Sequence, residues 1–168
     1  LALDIGAGTG VLSLMLAQRN PTIQITCIEI DEKSSDECSA NIKESPWSNR
    51  IQLINHDFIE YQFTHKFDLI FTNPPYYLTD NSSNESNERT KHITPETLLS
   101  WLSKIANMLT TKGEFWMIWP SETSQKIIEM AHDSGLHVGK KINVFSKKNK
   151  LSRNILCFSR EKKEGFND

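Results

Sequence analysis

The sequence predicts an α/β fold built on a mostly parallel sheet of seven strands, and three features carry that prediction. Short apolar runs at 1–5, 23–30, 51–54, 67–72 and 114–119 alternate with helical apolar patterns, the order that builds a parallel sheet. Each of the first four runs ends in residues that can hold a ligand, as expected of an open sheet that binds along its carboxyl edge. The last two runs, 137–146 and 151–160, have no helical pattern between them and meet at a lysine-rich hairpin tip, so the last strand runs antiparallel.

With 168 residues, 38% hydrophobic and 24% charged, the chain can bury one core of its own. One domain is expected over 1–163, with 164–168 a frayed tail. There is no internal repeat. No apolar run approaches the roughly 18 residues of a membrane span, and no signal-peptide pattern opens the chain. Cys27, Cys38 and Cys157 are odd in number and lack metal-ligand spacing, as do His56, His65, His92, His132 and His137. These features predict a monomer in the reducing cytoplasm, without metal or membrane. The chain opens inside a buried strand, Leu1-Ala2-Leu3-Asp4-Ile5, so a preceding segment is expected to be missing.

The first strand meets Gly6-Ala7-Gly8-Thr9-Gly10, and a helix follows on Val11, Leu12, Leu14, Met15 and Leu16 to about Asn20-Pro21. Glycines let a ligand approach the main chain, and the helix start offers N–H groups to an anion. The second strand ends in Glu29, some twenty residues beyond the glycines, where an acid accepts ribose hydroxyls. Asp31 caps the next helix, 32–44, which stops before Pro46. The third strand leads to Asp57 and Phe58, an acid for an adenine amine and a ring to pack on it; the alternative is a turn Asp and a core Phe.

The fourth strand runs Phe67-Asp68-Leu69-Ile70-Phe71-Thr72 and stops at Asn73-Pro74-Pro75-Tyr76. Proline gives no N–H to a sheet ladder, so an extended elbow follows. A carboxamide that both accepts and donates, beside aromatic rings, suits a planar group carrying an N–H, such as an adenine amine. A polar loop, 80–88, follows, closed by Arg89, Lys91 and His92, which can meet phosphates. Thr94 caps a helix entered at Pro95, with Leu98, Leu99, Leu102, Ile105, Ala106 and Leu109 on one face and Trp101 beside them in the core. A turn at 111–113 leads into strand five, ended by Pro120. A helix from Ser121 or Glu122 to His132 closes at Gly135. At the end, Lys140, Lys141, Lys147, Lys148, Lys150, Arg153, Arg160, Lys162 and Lys163 make a local basic region on a chain of net charge −2. It suits a phosphate backbone, or serves to keep a sheet edge soluble.

The motif Leu3-Asp4-Ile5-Gly6-Ala7-Gly8-Thr9-Gly10, with Glu29, Asp57 and Asn73-Pro74-Pro75-Tyr76, resembles the class I S-adenosylmethionine-dependent methyltransferases. The resemblance implies a Rossmann-like seven-stranded sheet with helices on both faces, N-terminally incomplete here, and S-adenosyl-L-methionine as cofactor. It implies that Asp4, Gly6, Gly8 and Gly10 hold the cofactor's methionine end, Glu29 its ribose, and Asp57 with Phe58 its adenine. Asn73, Pro74, Pro75 and Tyr76 would be catalytic, Asn73 also bordering the cofactor. The Asn-Pro-Pro-Tyr form marks a branch that methylates planar amino or amide nitrogens. Within it, Ile28-Glu29-Ile30-Asp31, Ser45-Pro46-Trp47 and Arg50-Ile51 are similar to the bacterial family acting on the adenine N6 of valine tRNA, next to the anticodon. The partner implied is tRNA. Alternatives are a protein glutamine-N5 methyltransferase, an rRNA or DNA amino methyltransferase, and a non-catalytic module that binds RNA or protein.

Overall fold

A computed structural model describes residues 1–74, 77–78, 92–147 and 149–162. The chain begins with strand β1 (Ala2–Ile5), every residue of it buried, and passes through the glycine turn into helix α1 (Val11–Arg19). Strand β2 (Ile25–Glu29) and helix α2 (Glu32–Glu44) follow. The Asp31 carboxylate accepts from the Ser34 N–H at 2.8 Å, the cap expected from sequence. Strands β3 (Ile51–Asn55) and β4 (Phe67–Thr72) come next, with an aromatic turn between them.

Two two-residue strands, β5 (Tyr77–Leu78) and β6 (His92–Ile93), pair in parallel on the way to helix α3 (Pro95–Met108). This pair was not expected from the sequence. Pro75, Tyr76, the 80–88 loop, Arg89 and Lys91 lie outside the described residues. Thr94 caps α3 through its hydroxyl, with proline at the helix start as expected. Strand β7 (Leu109–Pro120), helix α4 (Ser124–Asp133), strand β8 (His137–Phe145) and strand β9 (Leu151–Ser159) complete the fold.

The main sheet has seven strands in the order β3-β2-β1-β4-β7-β9-β8. The first five lie parallel and β9 runs antiparallel to both its neighbours. Two cores form on opposite faces. On one, Ala17 of α1 and Cys38 and Ile42 of α2 pack on Ala2, Ile25 and Ile51. On the other, Leu102 and Ile105 of α3 and Ile127 of α4 pack on Leu3, Ile70, Phe115 and Leu156. The expected fold is the observed one: Rossmann-like, mostly parallel, helices on both faces.

One boundary differs instructively. The turn expected at 111–113 is taken into β7, and Leu109, expected on the helix face, opens that strand opposite Phe67. The register slips between Phe67 and Leu69, so the extra residues of β7 bulge out. Gly113 sits at that slip, where a Cβ would come within 2.9 Å of the Phe67 carbonyl. The glycine marks a close approach of two strands rather than a chain reversal.

Candidate functional site

The parallel register brings the expected site residues to one edge. Ile5 of β1 pairs with Ile28 on one side and Thr72 on the other. Glu29, Gly6 and Asn73 therefore leave the sheet side by side, and Asn55 of β3 pairs with Glu29 beyond them. At about 5 Å per strand, Glu29 and Asn73 stand roughly 10 Å apart across the glycine turn. Thr72 fixes the last step: its buried hydroxyl donates to the Ile5 carbonyl at 2.7 Å. Asn73 is exposed at that edge, and Pro74 behind it is buried.

Gly6, Gly8 and Gly10 all sit at positive φ. A Cβ on Gly6 or Gly8 would meet nothing within 4 Å, so both glycines border open space above the turn. Gly10 is different. At φ 82°, it caps α1 with its hydrogen atoms against the Cys38 sulfur, where a Cβ would lie 2.7 Å away. No side chain caps α1, so the first N–H groups of the helix point into the same space without a helical acceptor.

Glu29 holds the turn from the neighbouring strand. Its Oε2 accepts from the Gly8 N–H at 2.7 Å and its Oε1 from the Asp31 N–H at 2.9 Å. Only 7% of the residue is exposed, yet each carboxylate oxygen keeps a further lone pair for a hydroxyl donor.

Asp4 lies deeper, 1% exposed, beneath the turn. Ser13, buried on α1, donates its hydroxyl to Asp4 Oδ2 at 2.8 Å and accepts from the Cys27 thiol at 3.1 Å. Burial pushes the Asp4 carboxyl up to about 7; the Ser13 hydrogen bond works against that rise and the Glu29 charge adds to it. Its hydrogen bond to Cys38, with burial, pushes the Cys27 thiol up as well, so Cys27 stays protonated.

Asp57 sits beyond the end of β3, where its Oδ1 accepts from the Ile59 and Glu60 N–H groups at 2.6 and 3.3 Å. That is a turn-making role. Phe58 is 5% exposed and belongs to the core, its ring edge-on to Trp101 at 5.4 Å and tilted against Phe63. The structure thus gives both residues a local task, and the ring of Phe58 faces protein on these sides.

Sequence reasoning missed two residues here. Ser13 carried a faint signal, a lone hydroxyl within the apolar run of α1. Lys104 carried none. It reaches from α3 to donate to the Ile59 and Tyr61 carbonyls at 2.8 and 2.6 Å, with its ammonium over the Phe58 and Phe63 rings at 5.2 and 5.8 Å. Burial lowers its pKa, and nearby Asp57 acts the other way. The side chain is a strut between α3 and the turn that carries Asp57. Lys104→Met is expected to lose about 2 kcal/mol of stability, the scale of charged hydrogen bonds, in urea unfolding. An unchanged unfolding midpoint would show that the strut bears no load.

A cavity of about 320 Å³ opens between Thr26, Arg50 and His65, at the amino edge of the sheet away from this row. Arg50 there donates to the Ala17, Asn20 and Ile23 carbonyls and so closes α1. Among the described residues no group of His, Cys, Asp and Glu could hold a metal, and no helix is long and apolar enough to cross a membrane.

Comparison with known proteins places this edge in context. The profile of the methyltransferase small domain matches residues 1–133. A relative from Bacteroides thetaiotaomicron, named tRNA1(Val) (adenine(37)-N6)-methyltransferase, is 35% identical over 86% of this chain and 62% of its own length. A relative of the same name from Pedobacter heparinus is 35% identical over 92% of this chain and 67% of its own length. The chain thus spans about two thirds or less of these relatives. Among solved structures, a methyltransferase from Pyrococcus furiosus superposes with a TM-score of 0.71 at 22% identity, covering 95% of this chain and 74% of that one. A glycopeptide N-methyltransferase complexed with S-adenosyl-L-homocysteine superposes at 0.68 and 12% identity, covering 95% and 81%.

Proposed function

The chain belongs to the methyltransferase small domain family, and from that premise we propose that it transfers a methyl group from S-adenosyl-L-methionine to the exocyclic N6 amine of an adenine in tRNA, in the cytoplasm. The observation that carries the proposal is the register: Glu29, the glycine turn and Asn73 stand in one row at the carboxyl edge. The acceptor is taken to be the anticodon-adjacent adenine of valine tRNA, on the names of the two relatives.

The residues fit the cofactor. The open space over Gly6 and Gly8 would accommodate its sulfur end, the uncapped start of α1 would take its carboxylate, and Glu29 would take its ribose hydroxyls. Asp4 would act from beneath, through Ser13 and the turn, on the methionine end. Asp57, whose Oδ1 is engaged by the backbone, offers Oδ2 to the cofactor's adenine amine, while Phe58 and Lys104 hold the Asp57 turn in place. When bound, the cofactor supplies an already activated methyl group.

What remains for the protein is alignment. The adenine amine is a poor nucleophile because its lone pair is delocalised into the ring. The Asn73 side-chain oxygen and the Pro74 carbonyl accept the two amine hydrogens and favour a pyramidal nitrogen with its lone pair aimed along the row. Pro75 and Tyr76 complete the motif by sequence, and the role assigned to Tyr76 is to stack on the extruded base, a contact of about 1–3 kcal/mol. No strong base is needed beforehand, since the amine loses its proton after transfer.

The test is transfer of labelled methyl by the full-length protein to unmodified valine tRNA, bulk rRNA and a release-factor protein, with nucleoside analysis. N6-methyladenosine in the tRNA alone is the expected result. Label in the protein acceptor moves the activity to a glutamine amide. Cofactor binding with no transfer to any acceptor overturns the reading in favour of a binding module.

A further inference from the structure

We propose that the tip of the β8–β9 hairpin, through Lys147 and Lys150, grips the phosphate backbone of the substrate RNA a few nucleotides from the base presented to Asn73. The proposal rests on the RNA reading of the site.

Three observations meet at this tip. Charge is the first. Residues 134–160 carry seven of the chain's nineteen lysines and arginines and none of its twenty-one acids, so the rest of the molecule is distinctly acidic. A field confined to one hairpin orients a polyanion instead of attracting it everywhere.

Direction is the second. β9 is antiparallel to β7 and to β8, so β8 runs the same way as the parallel strands. The turn that leaves β8 therefore stands on the carboxyl edge, with the glycine turn and Asn73. Arg153 of β9 pairs with Pro120 at the end of β7, and the tip projects beyond that pair. By strand spacing and rise, the tip lies about 15–20 Å from Asn73. A few nucleotides of single strand cover that span.

Shape is the third. The Ser146 N–H donates to the Lys150 carbonyl at 2.8 Å and the Asn149 N–H to the Ser146 carbonyl at 2.9 Å. Asn149 takes φ 54°, a turn position that asparagine tolerates better than most side chains. The tip is thus tied down while Lys147 and Lys150 remain exposed. Phe145, 57% exposed, closes the hairpin opposite Leu151 and adds an aromatic face beside the cations, the combination used on single strands. Lys140 and Lys141 differ: they lie within edge strand β8, where lysine keeps a sheet edge from pairing, and Lys140 sits over Trp116.

The experiment compares full-length protein carrying Lys147→Glu with Lys150→Glu against Lys43→Glu, an exposed lysine in the last turn of α2. Helix α2 runs back between parallel strands, so Lys43 lies at the opposite edge. The probe is an unmodified valine tRNA transcript, with binding measured across a salt series and methyl transfer at saturating RNA. The tip variant is expected to bind about ten- to a hundredfold more weakly, with the slope of log affinity against log salt reduced by about 1.5–2. Its kcat and its cofactor affinity stay near those of the unaltered protein, and Lys43→Glu changes neither affinity nor slope. Equal affinity and slope for the tip and Lys43 variants, with tRNA methylation intact, overturns the hairpin proposal and leaves the RNA reading standing. Methylation of a protein acceptor by the unaltered enzyme, with no RNA product, overturns both.

Discussion

Asn73→Ala is expected to lower kcat/KM for methyl transfer by about 10²–10⁴-fold, while cofactor affinity changes by less than about threefold. The asymmetry is what identifies the residue. Asn73 stands beside Gly6 at the carboxyl edge, fixed by the Thr72–Ile5 hydrogen bond one residue earlier. Alanine leaves that anchor in place and removes only the carboxamide. A cofactor seated as proposed, over the glycine turn and against Glu29, would keep its contacts, so its affinity would hold. On the proposed role, the acceptor amine would lose the oxygen that orients it, so the loss would fall on the chemical step. Asn73→Asp keeps an acceptor oxygen but adds charge, and intermediate activity is expected. Isothermal titration of cofactor binding, beside single-turnover kinetics, separates the possibilities. A parallel fall in cofactor affinity and transfer would make Asn73 a cofactor or folding residue.

Asp4→Asn is expected to stabilise the protein above pH 7 and to weaken it as an enzyme. Burial raises the Asp4 carboxyl to about 7 from the usual value of 3.8. A carboxyl with a raised folded-state pKa favours folding fully only below its unfolded pKa, and loses that contribution as pH climbs through the folded one. The window is therefore pH 4 to 7, and above it the native state carries an ionised group it does not favour. At about 1.4 kcal/mol per pKa unit, the accumulated loss is on the order of 4 kcal/mol. Asparagine keeps an acceptor for the Ser13 hydroxyl without the charge. Urea unfolding from pH 4 to 8 should show the stability gap between variant and unaltered protein widening with pH. A gap that stays flat across the window would disprove the charge argument. On the proposed role of Asp4 at the cofactor's methionine end, cofactor affinity should fall in the same variant. Such an exchange of stability for function is common at active sites.

The sheet was readable in the sequence because its strands are local apolar runs closed by glycine, proline or an acid. β1, β3 and β4 lie within a residue or so of their expected spans, as do α2 and α3. β2 is shorter than expected, starting at Ile25, because Ile23 stands before it in the loop after α1. The β5–β6 pair was not readable, since two residues per strand carry no period. The site was readable in its residues and not in its wiring. Glu29, the glycines and Asn73 each stood at a strand end, and the parallel register supplied their alignment. Lys104 and Asp57 are 47 positions apart, and only packing of α3 on the β3–β4 turn brings them together. Phe58 shows the reverse limit: a phenylalanine at a ligand edge and one sealed in the core read alike until its neighbours are known.

The position of β9 has a temporal consequence. It follows β8 in the chain, yet it sits inside the sheet, between β7 and β8. During translation β7 therefore waits with one side open, and that side carries the run Phe115-Trp116-Met117-Ile118-Trp119. β8 emerges next and has no neighbour to join until β9 follows it. The nascent chain thus holds this apolar segment open on one side through the making of some forty residues. That interval, more than the stability of the finished molecule, is where a chaperone would matter to its yield.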